Sequence, residues 1–147
     1  MEPTPIATQP TLQANQLNIN GTFISYANAG QGSGQAVIDG NSNMAATWGG
    51  AAVQSGSDGL NTHFIGHNPG IFNVLFSLTG GSVIQVSDRN NQVTNYTVTG
   101  ITQVDDYAVS ADGTDYYDQM IGTGGGERIT LQTCINDSTN LIVFAQA

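Results

Sequence analysis

Short alternating runs, each closed by glycine, asparagine or aspartate, constrain this chain more than any other feature. They occur at 17–25 (LNINGTFIS), 61–66 (NTHFIG), 82–88 (SVIQVSD), 92–104 (QVTNYTVTGITQV), 127–134 (ERITLQTC) and 140–146 (NLIVFAQ). Their Val, Ile, Thr and aromatic residues recur with a period of two, which puts one face of each run against a core and the other in water. A series of such runs predicts an all-β fold, mainly antiparallel, closed as a barrel or packed as a sandwich. A chain of 147 residues is long enough to bury a core of its own without disulfide or metal staples.

Helical spacing intrudes at only a few points. QAVIDG at 35–40 and IFNVLFSL at 71–78 each predict a turn or two of helix, the latter because Ile71, Val74, Leu75 and Leu78 fall on one helical face. DGTDYYDQM at 112–120 is a further short candidate, and DRNNQ has the composition of a hairpin turn. The opening stretch 1–16 is polar, holds three of the four prolines and reads as a disordered tail or linker, leaving 17–147 as the folded domain.

Charge narrows the partners. Eleven acidic residues stand against Arg89 and Arg128, with no lysine, for a formal charge of −9. Nucleic acid and anionic membranes need a basic footprint, so neither is expected to bind. Amine-bearing or cationic partners suit this balance. No window approaches the roughly 20 apolar residues of a membrane span, and membrane contact is expected only through an anchor that this sequence does not contain.

Cys134 is the sole cysteine, which excludes an internal disulfide. A lone cysteine in a β-rich chain reads first as a small buried hydrophobe. Here it ends the run TLQTC where the polar turn INDST begins, a place anchored by a sheet yet reachable from solvent. A nucleophilic thiol also needs a base, because only the thiolate attacks efficiently. His67, in NTHFIGHNPG, sits where another strand breaks into a loop, and His63 precedes it by four residues on the same face if the strand runs on. Read alone, His67 is equally a surface loop histidine.

Thr130-Leu131-Gln132-Thr133-Cys134 resembles the Thr-Leu-x-Thr-Cys signature of sortases, the cysteine transpeptidases of the Gram-positive cell surface, and FIGHN at 64–68 is similar to the Gly-His segment that supplies their histidine. The order of elements over about 33–146 also matches. The resemblance implies a sortase-type closed β-barrel with short helices, Cys134 as nucleophile and His67 as acid and base. Thr133, Asn68 and Thr130 would be substrate contacts. The family's third residue, an arginine at the start of the strand after the cysteine, falls on Asn140. Such a donor stabilises the tetrahedral intermediate, and losing one costs about 2.7 to 4 kcal/mol of transition-state stabilisation. Arg128 shares the thiol's face but lies six residues away, roughly 20 Å at ~3.3 Å per residue, beyond comfortable reach.

The implied partners are the sorting-signal peptide of a surface protein and an amine acceptor of the cell wall or a pilin, at the extracellular face of the membrane. Some family members bind calcium beside the loop that recognises the signal. Asp105, Asp106, Asp112, Asp115 and Asp118 are the acidic residues available for that, yet their spacing matches no EF-hand loop and they read as a solvated acidic loop. No other cofactor and no structural metal are expected. Trp48 reads either as a groove residue or as a core anchor. Two other readings of the whole stay open: a catalytically impaired module that grips a peptide or wall component, and a structural β-domain in which Cys134 and His67 lie far apart.

Overall fold

The computed structural model describes residues 11–147; the first ten positions of the expected tail lie outside them. Eight strands close into one barrel, in the order β1, β2, β3, β4, β7, β8, β6, β5. They are β1 (Gln16–Ile19), β2 (Thr22–Ala27), β3 (Ala45–Gly50), β4 (Asn61–Ile65), β5 (Val83–Ser87), β6 (Val93–Asp105), β7 (Arg128–Cys134) and β8 (Thr139–Gln146). The β2–β3 and β4–β7 pairs are parallel and the others antiparallel. Of the two mainly β arrangements that the alternating runs allow, barrel or sandwich, the chain adopts the closed barrel that the resemblance implies.

The run 17–25 is not one strand but two. Asn20 and Gly21 both adopt positive φ, 51° and 84°, which suits the tight turn of a two-residue hairpin. The strand β3 was hidden in MAATWGG, whose alanines and glycines carry little β signal. Of the stretch expected to be a tail, Leu12 is buried and the Asn15 N–H donates to Asp88 O, so residues from position 12 onward already pack on the barrel.

One set of alternate residues fills the interior: Leu17, Ile24, Tyr26, Phe64, Leu131 and Val143 belong to a single buried cluster. Tyr26 and Phe64 meet edge to face with centroids 4.9 Å apart. On β7, Ile129 and Leu131 point inward, so Arg128, Thr130, Gln132 and Cys134 face outward.

Two excursions cover that outer face. Helix α1 (Gly34–Gly40) packs Ile38 against Ala46 and Ile65, and helix α2 (Tyr117–Ile121) packs Met120 into a cluster with Val104, Ile142 and Phe144. Each buried side chain contributes about 1.5–3 kcal/mol, which holds helices too short to form alone. All five residues of β4 are buried because the barrel covers one side and these helices the other. The 3-10 helix Ile71–Ser77 closes one end of the barrel through Phe72 and Leu75. Between α1 and α2 the outer faces of β4 and β7 floor a groove. Among the described residues no helix is long and apolar enough to cross a membrane.

Candidate active site

The groove has two adjoining parts. A hollow of about 180 Å³ lies over His63, Trp48, Ile65 and Gln132, walled by Met120 and Asp106. A smaller one, about 90 Å³, is lined by His67, Cys134, Asn140, Thr133, Ile38 and Gln35. Gln35, Ile65 and Gln132 border both. Cys134, His67 and Asn140 therefore share one small basin at the end of a longer trough.

Strand order explains the meeting. β7 is flanked by β4 and β8, so the loop after β4 stands on one side of Cys134 and the start of β8 on the other. The thiol is exposed at the mouth of its strand. Cys134 pairs with Asn140 across β7 and β8, and the Ile135 N–H donates to Thr139 O next to them. Hydrogen-bonded and non-hydrogen-bonded pairs alternate, which makes Cys134 and Asn140 a non-hydrogen-bonded pair with Cα atoms about 4.5 Å apart and side chains on the same face. The Cys134 N–H consequently points away from β8, and among the described residues no loop carbonyl accepts from it, so it is available as a donor.

His67 owes its position to the residue before it. Any Cβ at Gly66 would come within 2.7 Å of the Phe72 ring, so only glycine lets the chain leave β4 at this point. The imidazole, partly exposed, donates Nε2–H to Asp39 Oδ1 at 2.9 Å, leaving Nδ1 for proton transfer. Asp39 also accepts from Gln35 Nε2 at 2.9 Å. These two hydrogen bonds, Gln35 first and then His67, hold its carboxyl below the usual carboxylate range. Asn68 donates its side-chain amide to Cys134 O at 2.8 Å and so ties the histidine loop to the cysteine strand.

Asn140 is buried and donates Nδ2–H to Asp106 Oδ1 at 3.2 Å. Thr133 is 2% exposed and its hydroxyl donates to Gly66 O at 2.8 Å, so it lines the basin while bracing the turn before His67.

Thr130 departs from the expectation of a substrate contact. It is completely buried and donates to Asn61 Oδ1, while Asn61 in turn donates to the carbonyls of Met120 and Gly122. Packing of α2 over β7 removes Thr130 from the groove and makes it a brace for the groove wall. His63 does not join His67 either. The strand ends at Ile65, and His63 lies at 1% exposure beneath the trough, its ring edge to face with Trp48 at 5.8 Å. Trp48 is thus a groove residue. Arg128, at the far end of β7, donates Nε–H to Gly124 O.

Asp39 and Gln132 escaped the sequence reading. Asp39 is the penultimate residue of QAVIDG and only the docking of α1 brings it to His67, while Gln132 occupies the variable position of the cysteine motif. Of the acidic residues, Asp105 and Asp106 line the trough. Among the described residues no group of three or more His, Cys, Asp or Glu side chains is close enough to hold a metal ion.

A family model described as the Sortase domain matches residues 13–147. Among solved structures, the chain is similar to sortase A of Listeria monocytogenes, with a TM-score of 0.66 at 17% identity over 89% of this chain and 83% of that one. It is also similar to sortase E1 of Streptomyces coelicolor, solved with a tripeptide in its active site, at a TM-score of 0.61 and 20% identity over 92% and 90% of the two chains. The Clostridium perfringens sortase D5 transpeptidase aligns at 0.62 and 18% identity over 89% and 76%. No curated protein sequence matches the chain.

Proposed function

The chain belongs to the sortase family, and from that premise we propose that it is a cell-surface cysteine transpeptidase that cleaves a sorting-signal peptide and joins its acyl part to an amine. The observation that carries this reading is the shared basin of Cys134, His67 and Asn140. The Cys134 thiolate attacks the carbonyl carbon of one peptide bond, and the oxygen gathers negative charge against the Cys134 N–H and the remaining Nδ2–H of Asn140. His67 gives its Nδ1 proton to the leaving amine as the C–N bond breaks, which leaves a thioester. The same Nδ1 then takes a proton from the incoming amine, which attacks the thioester and frees the thiolate. Asp39 holds the imidazole in the tautomer and pose for both transfers.

The peptide signal belongs to a surface protein and the acceptor to the cell wall or a pilin, at the outer face of a Gram-positive cell. The acidic surface favours an amine-bearing acceptor. In the test, a quenched fluorogenic peptide library and a simple amine are incubated with the protein and with Cys134→Ala. Turnover lost in the variant, together with rapid alkylation of Cys134, is the expected result; turnover that survives would refute the assignment.

A second reading rests on Asn140 and Asp106. With no arginine or lysine among the described residues that line the basin and a carboxylate beside the donor, the site is poorly equipped for an oxyanion, which suits a module that binds the peptide and processes it slowly or not at all. Peptide binding to the unmodified protein with no thioester detectable by mass spectrometry would favour it.

A further inference from the structure

Beneath the trough lies a chain of hydrogen bonds whose direction can be worked out from one end. The backbone N–H of Gly49 donates to His63 Nδ1 at 3.1 Å. A backbone amide can only donate, so Nδ1 carries no proton and the neutral ring must hold its hydrogen on Nε2. Nε2 lies 2.8 Å from Gln132 Oε1, and the tautomer makes it the donor. Gln132 therefore turns its carbonyl oxygen inward and its NH₂ the other way. Among the described residues the one side-chain hydrogen bond of Gln132 is that which its Oε1 accepts from His63, and its NH₂ donates to no protein group.

The arrangement is built in. His63 is 1% exposed, and the close approach of Gly49 depends on its lacking a side chain, since a Cβ there would meet Ile121 at 2.8 Å and His63 Nδ1 at 3.0 Å. Burial keeps the ring neutral across the physiological range, its pKa pushed down to about 4. Gln132 borders both parts of the groove and shares the outward face of β7 with Cys134.

We propose that Gln132 is a substrate-binding residue, whose side-chain N–H, aimed by His63 behind it, donates to the main-chain carbonyl oxygen of the bound peptide two residues to the acyl side of the scissile bond. This rests on the transpeptidase reading. Two strand residues span about 6.6 Å, the same repeat as two residues of an extended peptide laid along β7. The acyl half has to stay bound after the amine leaves, and the larger hollow running from Gln132 away from Cys134 is the place that can hold it. Asp105 and Asp106 on the same wall disfavour a carboxylate there, so the acceptor is a neutral carbonyl.

The experiment pairs Gln132→Met, which keeps bulk and loses the donor, with peptides in which that one carbonyl is replaced by a methylene. Wild-type protein should lose about tenfold in kcat/KM on the methylene peptide, the scale of one good hydrogen bond. Gln132→Met should show the loss already with the parent peptide, mainly in KM, and lose no more with the analogue. Equal further losses in both proteins would overturn the proposal. If wild-type protein turns over no peptide, the transpeptidase reading fails separately, and the donor is then tested by NMR on Cys134→Ala. Gln132 side-chain amide protons that respond to the parent peptide and not to the analogue support it; amide protons blind to both overturn it.

Discussion

Asn140 donates its side-chain amide to Asp106 Oδ1 at 3.2 Å, so the position opposite Cys134 holds a neutral donor engaged by a carboxylate. An Asn140→Arg change would set a guanidinium beside the thiol with Asp106 ready to fix its orientation. We expect kcat/KM for peptide cleavage to rise by up to about 100-fold, the lower end of what a single oxyanion donor supplies. Steady-state kinetics on the fluorogenic library decide it, and an unchanged rate would mean that the oxyanion does not form on the Asn140 side.

Asp39 should act on the rate through His67 and not on binding. Asp39→Ala frees the imidazole to rotate, and kcat is expected to fall about tenfold, a fraction of the roughly 100-fold or more that general acid–base catalysis contributes, with KM little changed. Asp39→Glu keeps a carboxylate on the same helix and should recover part of the rate. A rise in KM with constant kcat would instead make Asp39 a substrate contact.

His63 makes stability depend on pH. Burial lowers its pKa from 6.5 to about 4, so between those values the unfolded chain binds the proton and the folded one does not. Stability is complete above 6.5 and is lost as pH falls toward 4, by about 3 kcal/mol if this group alone is counted. Urea unfolding of wild type and His63→Gln at several pH values isolates the effect, since other titrating groups are common to both. Parallel pH curves would show that His63 is not held neutral by the fold.

Gly66→Ala should damage both fold and site. The new methyl would lie 2.7 Å from the Phe72 ring, and relieving it should cost about 1–3 kcal/mol of overpacking. Turnover should fall further than the loss of folded protein explains, because His67 is the next residue. Thermal unfolding alongside activity per folded molecule separates the two.

Asn68→Ala removes the bond from the histidine loop to Cys134 O. It is expected to cost about 1 kcal/mol in stability and to lower kcat more than it raises KM. A variant with normal kcat would show that β4 and β7 alone hold His67 in register.

Much of this protein follows from its sequence alone. Alternation along the runs and the glycine, asparagine and aspartate between them determine a mainly β architecture, because period two is a local property of extended chain, whereas closure into a barrel and not a sandwich depends on which strands pair. The shared place of Cys134 and His67 was legible for the same reason: each marks a strand giving way to a loop, and the two line one basin. Tertiary structure decided the rest. Thr130 shares parity with Cys134, yet it is sealed by α2, since facing outward on a strand does not tell whether another element lies on top. His63 and His67 look alike in NTHFIGH and separate because Gly66 ends the strand between them. Asp39 reaches His67 only once α1 docks through Ile38, and Asp106 reaches Asn140 only through the register of β6 on β8. Hydrogen-bond partners from distant segments are fixed by packing, and no local pattern encodes them.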